Sequence, residues 1–199
     1  MVLSKPLVFA ACLAPFAWLV FRAFTGRLTA NPIEDITLTT GLWALRFLVI
    51  TLAITPLRRI TGWNRLIQYR RMVGLFAFFY ASLHLAIYVT DVMAVEGTFT
   101  FAPVAADVVK RPFITAGMVA FVAMLPLAVT STRGWIRRLG RRWQRLHRLV
   151  YLSAAAAALH YLWKVKVMIG SPVYYAAIVV ALLALRAVWA LRSRRLRLP

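Results

Sequence analysis

The chain has 199 residues, of which 62% are hydrophobic and only 15% charged, and its mean hydropathy is +0.75; a water-soluble fold cannot hide that much apolar surface. Its formal charge of +20 would suggest nucleic acid in a soluble protein, but the basic residues cluster between apolar runs, as topology signals do, so no nucleic-acid partner is expected. The lone Cys12 lies inside the first apolar run, which excludes an intrachain disulfide and any cysteine-based metal or iron–sulfur site.

In chain order, apolar stretches of about 18 or more residues predict an all-α integral membrane protein rather than a barrel. We expect one domain over residues 1–199, a six-transmembrane-helix bundle with spans at about 6–24, 37–56, 72–91, 112–130, 147–163 and 172–191. Each suits a hydrocarbon core of about 30 Å at about 1.5 Å rise per residue. Lys5 and the apolar residues 7–21 imitate a signal peptide, but no small-residue cleavage site directly follows, so this run reads as a retained first span. Pro15 and Pro126 fall inside spans and predict kinks. Pro112 and Pro172 suit first-turn positions, with Ser171 as an N-cap.

The links alternate in charge. Arg58, Arg59, Arg65, Arg70 and Arg71 join spans 2 and 3; Arg133, Arg137, Arg138, Arg141, Arg142, Arg145 and Arg148 join spans 4 and 5; Arg192, Arg194, Arg195 and Arg197 form the tail. With Lys5 these share one side of an even-numbered bundle, so the positive-inside rule predicts that both termini are cytoplasmic. The opposite loops carry Glu34, Asp35, Asp91, Glu96 and Asp107, accompanied by Arg22, Arg27, Lys110, Arg111, Lys164 and Lys166. The longest of them, about 92–111, is too short for a nucleotide-binding domain, and no glycine-rich dinucleotide fingerprint occurs. No internal repeat is strong enough to suggest an inverted-repeat transporter, and the spans contain none of the carboxylates that a proton or cation path usually needs.

Three histidines carry the functional signal. His84 lies on span 3, thirteen residues beyond Arg71, about 20 Å along a helix. His160 lies thirteen residues beyond His147 on span 5, which puts it at about the same depth. Two imidazoles at one level on separate helices can sandwich a haem iron; the competing reading of each is a packed or hydrogen-bonded intramembrane residue. His147 does not share a helix face with His160, because thirteen steps of about 100° do not close a turn. It can bind a second haem singly, help seat a flavin, or cap a basic turn.

Other residues are more weakly placed. The alanine run 154–158 lets a planar group or another helix approach the backbone closely, the helix being the commoner case. Phe76, Phe78, Phe79 and Tyr80 suit either a porphyrin edge or ordinary packing. Arg46, near the middle of span 2, needs a haem propionate or a backbone carbonyl unless it snorkels. Arg186 is expected to snorkel to the inner face without a partner.

Arg70–Arg71, Gly74–Leu75, Tyr80, Leu83–His84 and Tyr88, followed by Trp143, the run 146–151 and His160, resemble the MsrQ (YedZ) family. This family lies within the wider ferric reductase-like transmembrane group that includes NADPH oxidases. The resemblance covers essentially the whole chain. It implies haem b, one or two per chain, FMN, a multi-pass location in the bacterial inner membrane, and a periplasmic molybdopterin-containing partner, MsrP, which reduces methionine sulfoxide. It implies electrons from a quinone or a cytoplasmic flavin reductase, and haem ligation by His84, His147 and His160. NADPH oxidases carry two histidines on each ligand helix, whereas here Arg70 or Arg71 stands near the missing level. Arg70 and Arg71 are also candidates for an FMN phosphate. The chain is thus expected to be an electron-transfer subunit with no substrate-reducing site of its own. The rival readings are a self-contained ferric or cupric reductase and a cofactor-free membrane scaffold or transporter.

Overall fold

Hydropathy locates the helices, but capping residues set their ends. In a computed structural model that describes residues 4–165 and 171–195 (the backbone alone for 193–195), the chain is helical throughout its regular structure. Lys166 and Arg197 lie outside the described residues. Helix α1 is Lys5–Phe24 and α2 is Pro32–Thr61. Asn31 caps α2, accepting from the Glu34 amide, with Pro32 in the first turn; Gly62 ends it in the left-handed region at φ 73°. These signals start α2 before residue 37 and carry it through Pro56, beyond the span that hydropathy marks.

A 3-10 turn, Asn64–Tyr69, leads into α3, Arg70–Val95. The loop that follows contains a short helix, α4, Ala102–Lys110, and α5 is Pro112–Val129 with Pro112 in its first turn. Two further short helices, α6 (Arg133–Leu139) and α7 (Arg141–Leu146), occupy the basic link before α8 (Leu149–Lys164) and α9 (Ser171–Arg195). Ser171 begins α9, and its hydroxyl lies 2.7 Å from that of Tyr161.

Among the described residues, five helices, α1, α2, α3, α5 and α9, are long and apolar enough to cross a membrane. The fifth expected span corresponds to α8, whose 16 residues extend about 24 Å, less than a hydrocarbon core of about 30 Å. Large apolar side chains such as Trp18, Val122 and Tyr174 point outward, as in a bundle whose outer coat is lipid.

Two hairpins organise the bundle. α2 packs along α3 and α5 along α8; α3 meets α5, α9 lies against α8 and α2, and α1 leans on α2 and α3. The second hairpin closes on small residues: Ala116, Ala120 and Ala123 of α5 and Ala154, Ala156 and Ala158 of α8 are buried. The Ser153 hydroxyl donates to the Ala120 carbonyl at 3.0 Å across that seam.

Pro15 lies inside α1, and the Tyr80 hydroxyl from α3 occupies the broken ladder beside it. It accepts from the Phe16 amide at 2.9 Å and donates to the Cys12 carbonyl at 3.0 Å, the two groups an unbroken helix would join to each other. Phe76 and Phe79 pack edge-to-face, and Phe76 also meets Phe9 of α1. Phe78 stacks on Phe121. Arg186 does not snorkel unpaired: it donates to the Leu52 carbonyl and to the Tyr151 hydroxyl. Carbonyl and phenol oxygens replace part of the water lost by this charge, and Nε is buried without a hydrogen-bond partner among the described residues.

Candidate cofactor site

The site is built twice, once from each hairpin. On the first, the His84 Nδ1 of α3 lies 2.9 Å from the Thr37 carbonyl of α2. One turn further along α2, Gly41 faces the same ring: a Cβ there would lie 2.9 Å from Nδ1. On the second, the His160 Nδ1 of α8 lies 2.6 Å from the Phe113 carbonyl of α5, and a Cβ on Gly117 would lie 2.8 Å from that Nδ1. Each histidine follows its carbonyl partner by 47 positions. Histidine, glycine and carbonyl of the second hairpin are all displaced by 76 positions from those of the first. The structure therefore contains an internal correspondence that sequence similarity does not reveal.

The consequence is a defined imidazole. A carbonyl accepts only from a protonated nitrogen, so each Nδ1 carries the hydrogen and each Nε2 is the basic position, the one left open to a metal. Glycine is required because only a missing side chain lets α2 and α5 approach the rings this closely. The ring centroids of His84 and His160 are 6.0 Å apart with an interplanar angle of 77°. Two imidazoles each bonded to one metal at about 2 Å would stand at roughly this separation. Depth along the helices and the folded positions therefore agree.

Both rings line a cavity of about 480 Å³, within the range of roughly 300–1,000 Å³ typical of cofactor pockets. Its walls are small or apolar, including Ala44, Leu48, Ala120, Met124 and Ala157. Its mouth lies at the acidic end of the bundle, where Asp91, Asp107, Arg111 and Lys164 line it. Among the described residues no three histidine, cysteine or acidic side chains converge as a metal site. A pair of histidines fits haem, whose porphyrin supplies the other four ligands.

His147 belongs to the opposite end. It closes α7 in the basic link. Its Nε2 lies 3.2 Å from the Thr130 hydroxyl, and its ring stacks on Trp143 at 3.8 Å. Trp143 in turn donates from Nε1 to the Thr130 carbonyl at 2.9 Å. Burial first, and then the Arg70 guanidinium, push this imidazole below the usual histidine range. The structure thus brings His84 and His160 together and leaves His147 in a separate network.

The arginines also separate. Arg46 donates from Nε to the Tyr175 hydroxyl at 2.9 Å and lies over Trp43 at 4.6 Å; it is not among the residues lining the cavity. Its partners are thus a phenol and an indole face, groups not weighed from sequence. Arg70 and Arg71 begin α3 at the basic end, about 20 Å along the helix from His84. Arg71 reaches the Ser131 carbonyl at 3.4 Å. Sequence reasoning missed Gly41, Gly117 and the two carbonyls. The equal spacing from each glycine to its histidine was the available signal, whereas a backbone carbonyl leaves none.

A family model described as "Ferric reductase like transmembrane component" matches residues 40–158. Several curated relatives bear the name "Protein-methionine-sulfoxide reductase heme-binding subunit MsrQ". That of Xanthomonas oryzae pv. oryzae (strain MAFF 311018) is 48% identical over 200 residues, covering 98% of this chain and 90% of the relative. That of Herminiimonas arsenicoxydans is 51% identical over 195 residues, with 96% and 88% covered. That of Rhodospirillum rubrum is 48% identical over 194 residues, with 97% and 91% covered. No solved structure matches the chain.

Proposed function

The chain belongs to the MsrQ haem-binding subunits of the ferric reductase-like transmembrane family, and from that premise we propose that it is the haem-carrying electron-transfer subunit of a methionine sulfoxide reductase system. It is a multi-pass protein of the bacterial inner membrane. The observation that carries the reading is the paired construction of His84 and His160, with ring centroids 6.0 Å apart and each Nδ1 tied to a carbonyl. Haem b, when bound, supplies one-electron transfer. The protein's part is to fix two imidazoles as Nε2 ligands, keep the surrounding wall apolar, and exclude water.

The basic end, by the positive-inside rule, faces the cytoplasm, with both termini there and α8 completing six spans. The cavity mouth then faces the periplasm, where an MsrP-type molybdopterin-containing reductase would be the partner; the relatives' name, a subunit of a methionine-sulfoxide reductase, supports a reductase partner. Electrons would enter from a quinone or a cytoplasmic flavin reductase at the basic end, where Arg70 and Arg71 are available to an FMN phosphate. His147 would serve a second haem through Nε2 only by giving up its Thr130 contact.

A dithionite-reduced minus oxidised spectrum of the purified, haem-replete protein tests the proposal. A Soret and α-band change is expected, and its absence would sink the haem carrier. A self-contained ferric reductase is the competing reading; it would reduce ferric chelates without the periplasmic partner as fast as the complete system does.

A further inference from the structure

The cavity around His84 and His160 is apolar along its walls, so a cofactor bearing carboxylates must direct them to the polar mouth. Among the described residues, two cations line that mouth, Arg111 and Lys164. Arg111 is the N-cap residue of α5, and Lys164 is the last residue of α8, one turn beyond His160. They therefore come from the same hairpin, at the end of the bundle where its histidine is held.

Their surroundings differ in an informative way. Arg111 Nε lies 3.2 Å from Asp107 Oδ1, and the Tyr88 hydroxyl donates to Asp107 Oδ2 at 3.0 Å. The carboxylate is thereby used on both oxygens and orients the guanidinium across the mouth, leaving other N–H groups to donate. Lys164 has no ion-pair partner among the described residues. Its ammonium lies 5.9 Å from the centroid of the Phe113 ring, and that ring is 6.0 Å from the centroid of the His160 ring. The same Phe113 supplies the carbonyl acceptor of His160. One residue thus separates an uncompensated cation from a ligand imidazole.

The cations favoured from sequence are placed elsewhere. Arg46 is engaged by Tyr175 and Trp43, and Arg70 and Arg71 stand at the opposite end of α3. We propose that Lys164 and Arg111 bind the haem carboxylates at the acidic mouth, Lys164 as a mobile point charge and Arg111 as a fork held by Asp107 and Tyr88. This rests on the haem-carrier reading and adds the polar half of its site. Two cations beside the carboxylates also favour the reduced haem, because they oppose the extra positive charge of ferric iron.

The test compares wild type, Lys164→Gln, Arg111→Gln and Lys164→Arg, each loaded with haem or with its dimethyl ester, which lacks both carboxylates. Haem transfer to an apo-globin acceptor and the spectroscopic midpoint potential are the readouts. With haem, each Gln variant should lose the group about tenfold faster, and its midpoint should move negative by up to about 59 mV, the one-electron equivalent of a tenfold shift. Lys164→Arg should stay near wild type. With the dimethyl ester all four proteins should behave alike. Unchanged haem loss in both Gln variants, or equal changes with haem and its ester, would overturn the carboxylate assignment while leaving the histidine pair intact. A wild type that binds neither form would overturn the haem-carrier reading itself, and this assignment with it.

Discussion

The two ends of the bundle treat histidine in opposite ways. At the acidic end, His84 and His160 each use Nδ1 on a carbonyl and rest against a glycine, so the second nitrogen remains the basic one and faces a common cavity. At the basic end, His147 uses Nε2 on Thr130 and stacks its ring on Trp143. The difference teaches that a candidate ligand histidine is distinguished by which nitrogen the protein leaves open, more than by its depth in the membrane.

The strongest way to break this comparison is to remove the rings. His84→Ala and His160→Ala should each abolish the same haem difference spectrum. Retention of a full bis-histidine spectrum in either variant would refute the pairing. His147→Ala should leave that signal in place, and its loss would show that the two ends are one site.

Glycine replacement comes next. In Gly41→Ala or Gly117→Ala the new Cβ lies 2.9 or 2.8 Å from an imidazole nitrogen, so the ring must move. A cost of about 1–3 kcal/mol is typical of such overpacking, and it should appear as accelerated haem loss and an altered electron paramagnetic resonance signal. Gly74→Ala is the matched control, since its Cβ would make only ordinary contact with the Thr51 side chain, Cγ2 at 3.5 Å and Oγ1 at 3.8 Å, and its haem loss should equal wild type.

Smaller effects sharpen the other end. Thr130→Val removes the hydroxyl held by His147 and should lower stability by about 1 kcal/mol, read by thermal denaturation in detergent with the haem spectrum unchanged. A spectral change in this variant would tie His147 to the cofactor. Tyr80→Phe should cost a similar or slightly smaller amount, because Cys12 and Phe16 can partly restore their own backbone contact. It should leave haem retention at the wild-type level.

Much of the candidate site was legible before folding. Thirteen-residue separations put His84 and His160 at one depth because helical rise is nearly constant. Arg186 was misjudged because its partners, the Leu52 carbonyl and the Tyr151 hydroxyl, lie on other helices. Helices α4, α6 and α7 escaped notice because they are short segments within polar links, where hydropathy has no long run to register. The true start of α2 was readable in Asn31, Pro32 and Glu34, but hydropathy alone passes over a cap.

The sequence by itself determined an all-helical membrane protein, its charge asymmetry, and a histidine pair at a shared level. Those properties depend on local composition and on a fixed rise per residue. Only the tertiary structure decided that the two rings meet, which nitrogen each presents, and that His147 stands apart with Thr130 and Trp143. Such facts depend on how two hairpins pack and on how closely Gly41 and Gly117 let the helices approach, which no local pattern specifies.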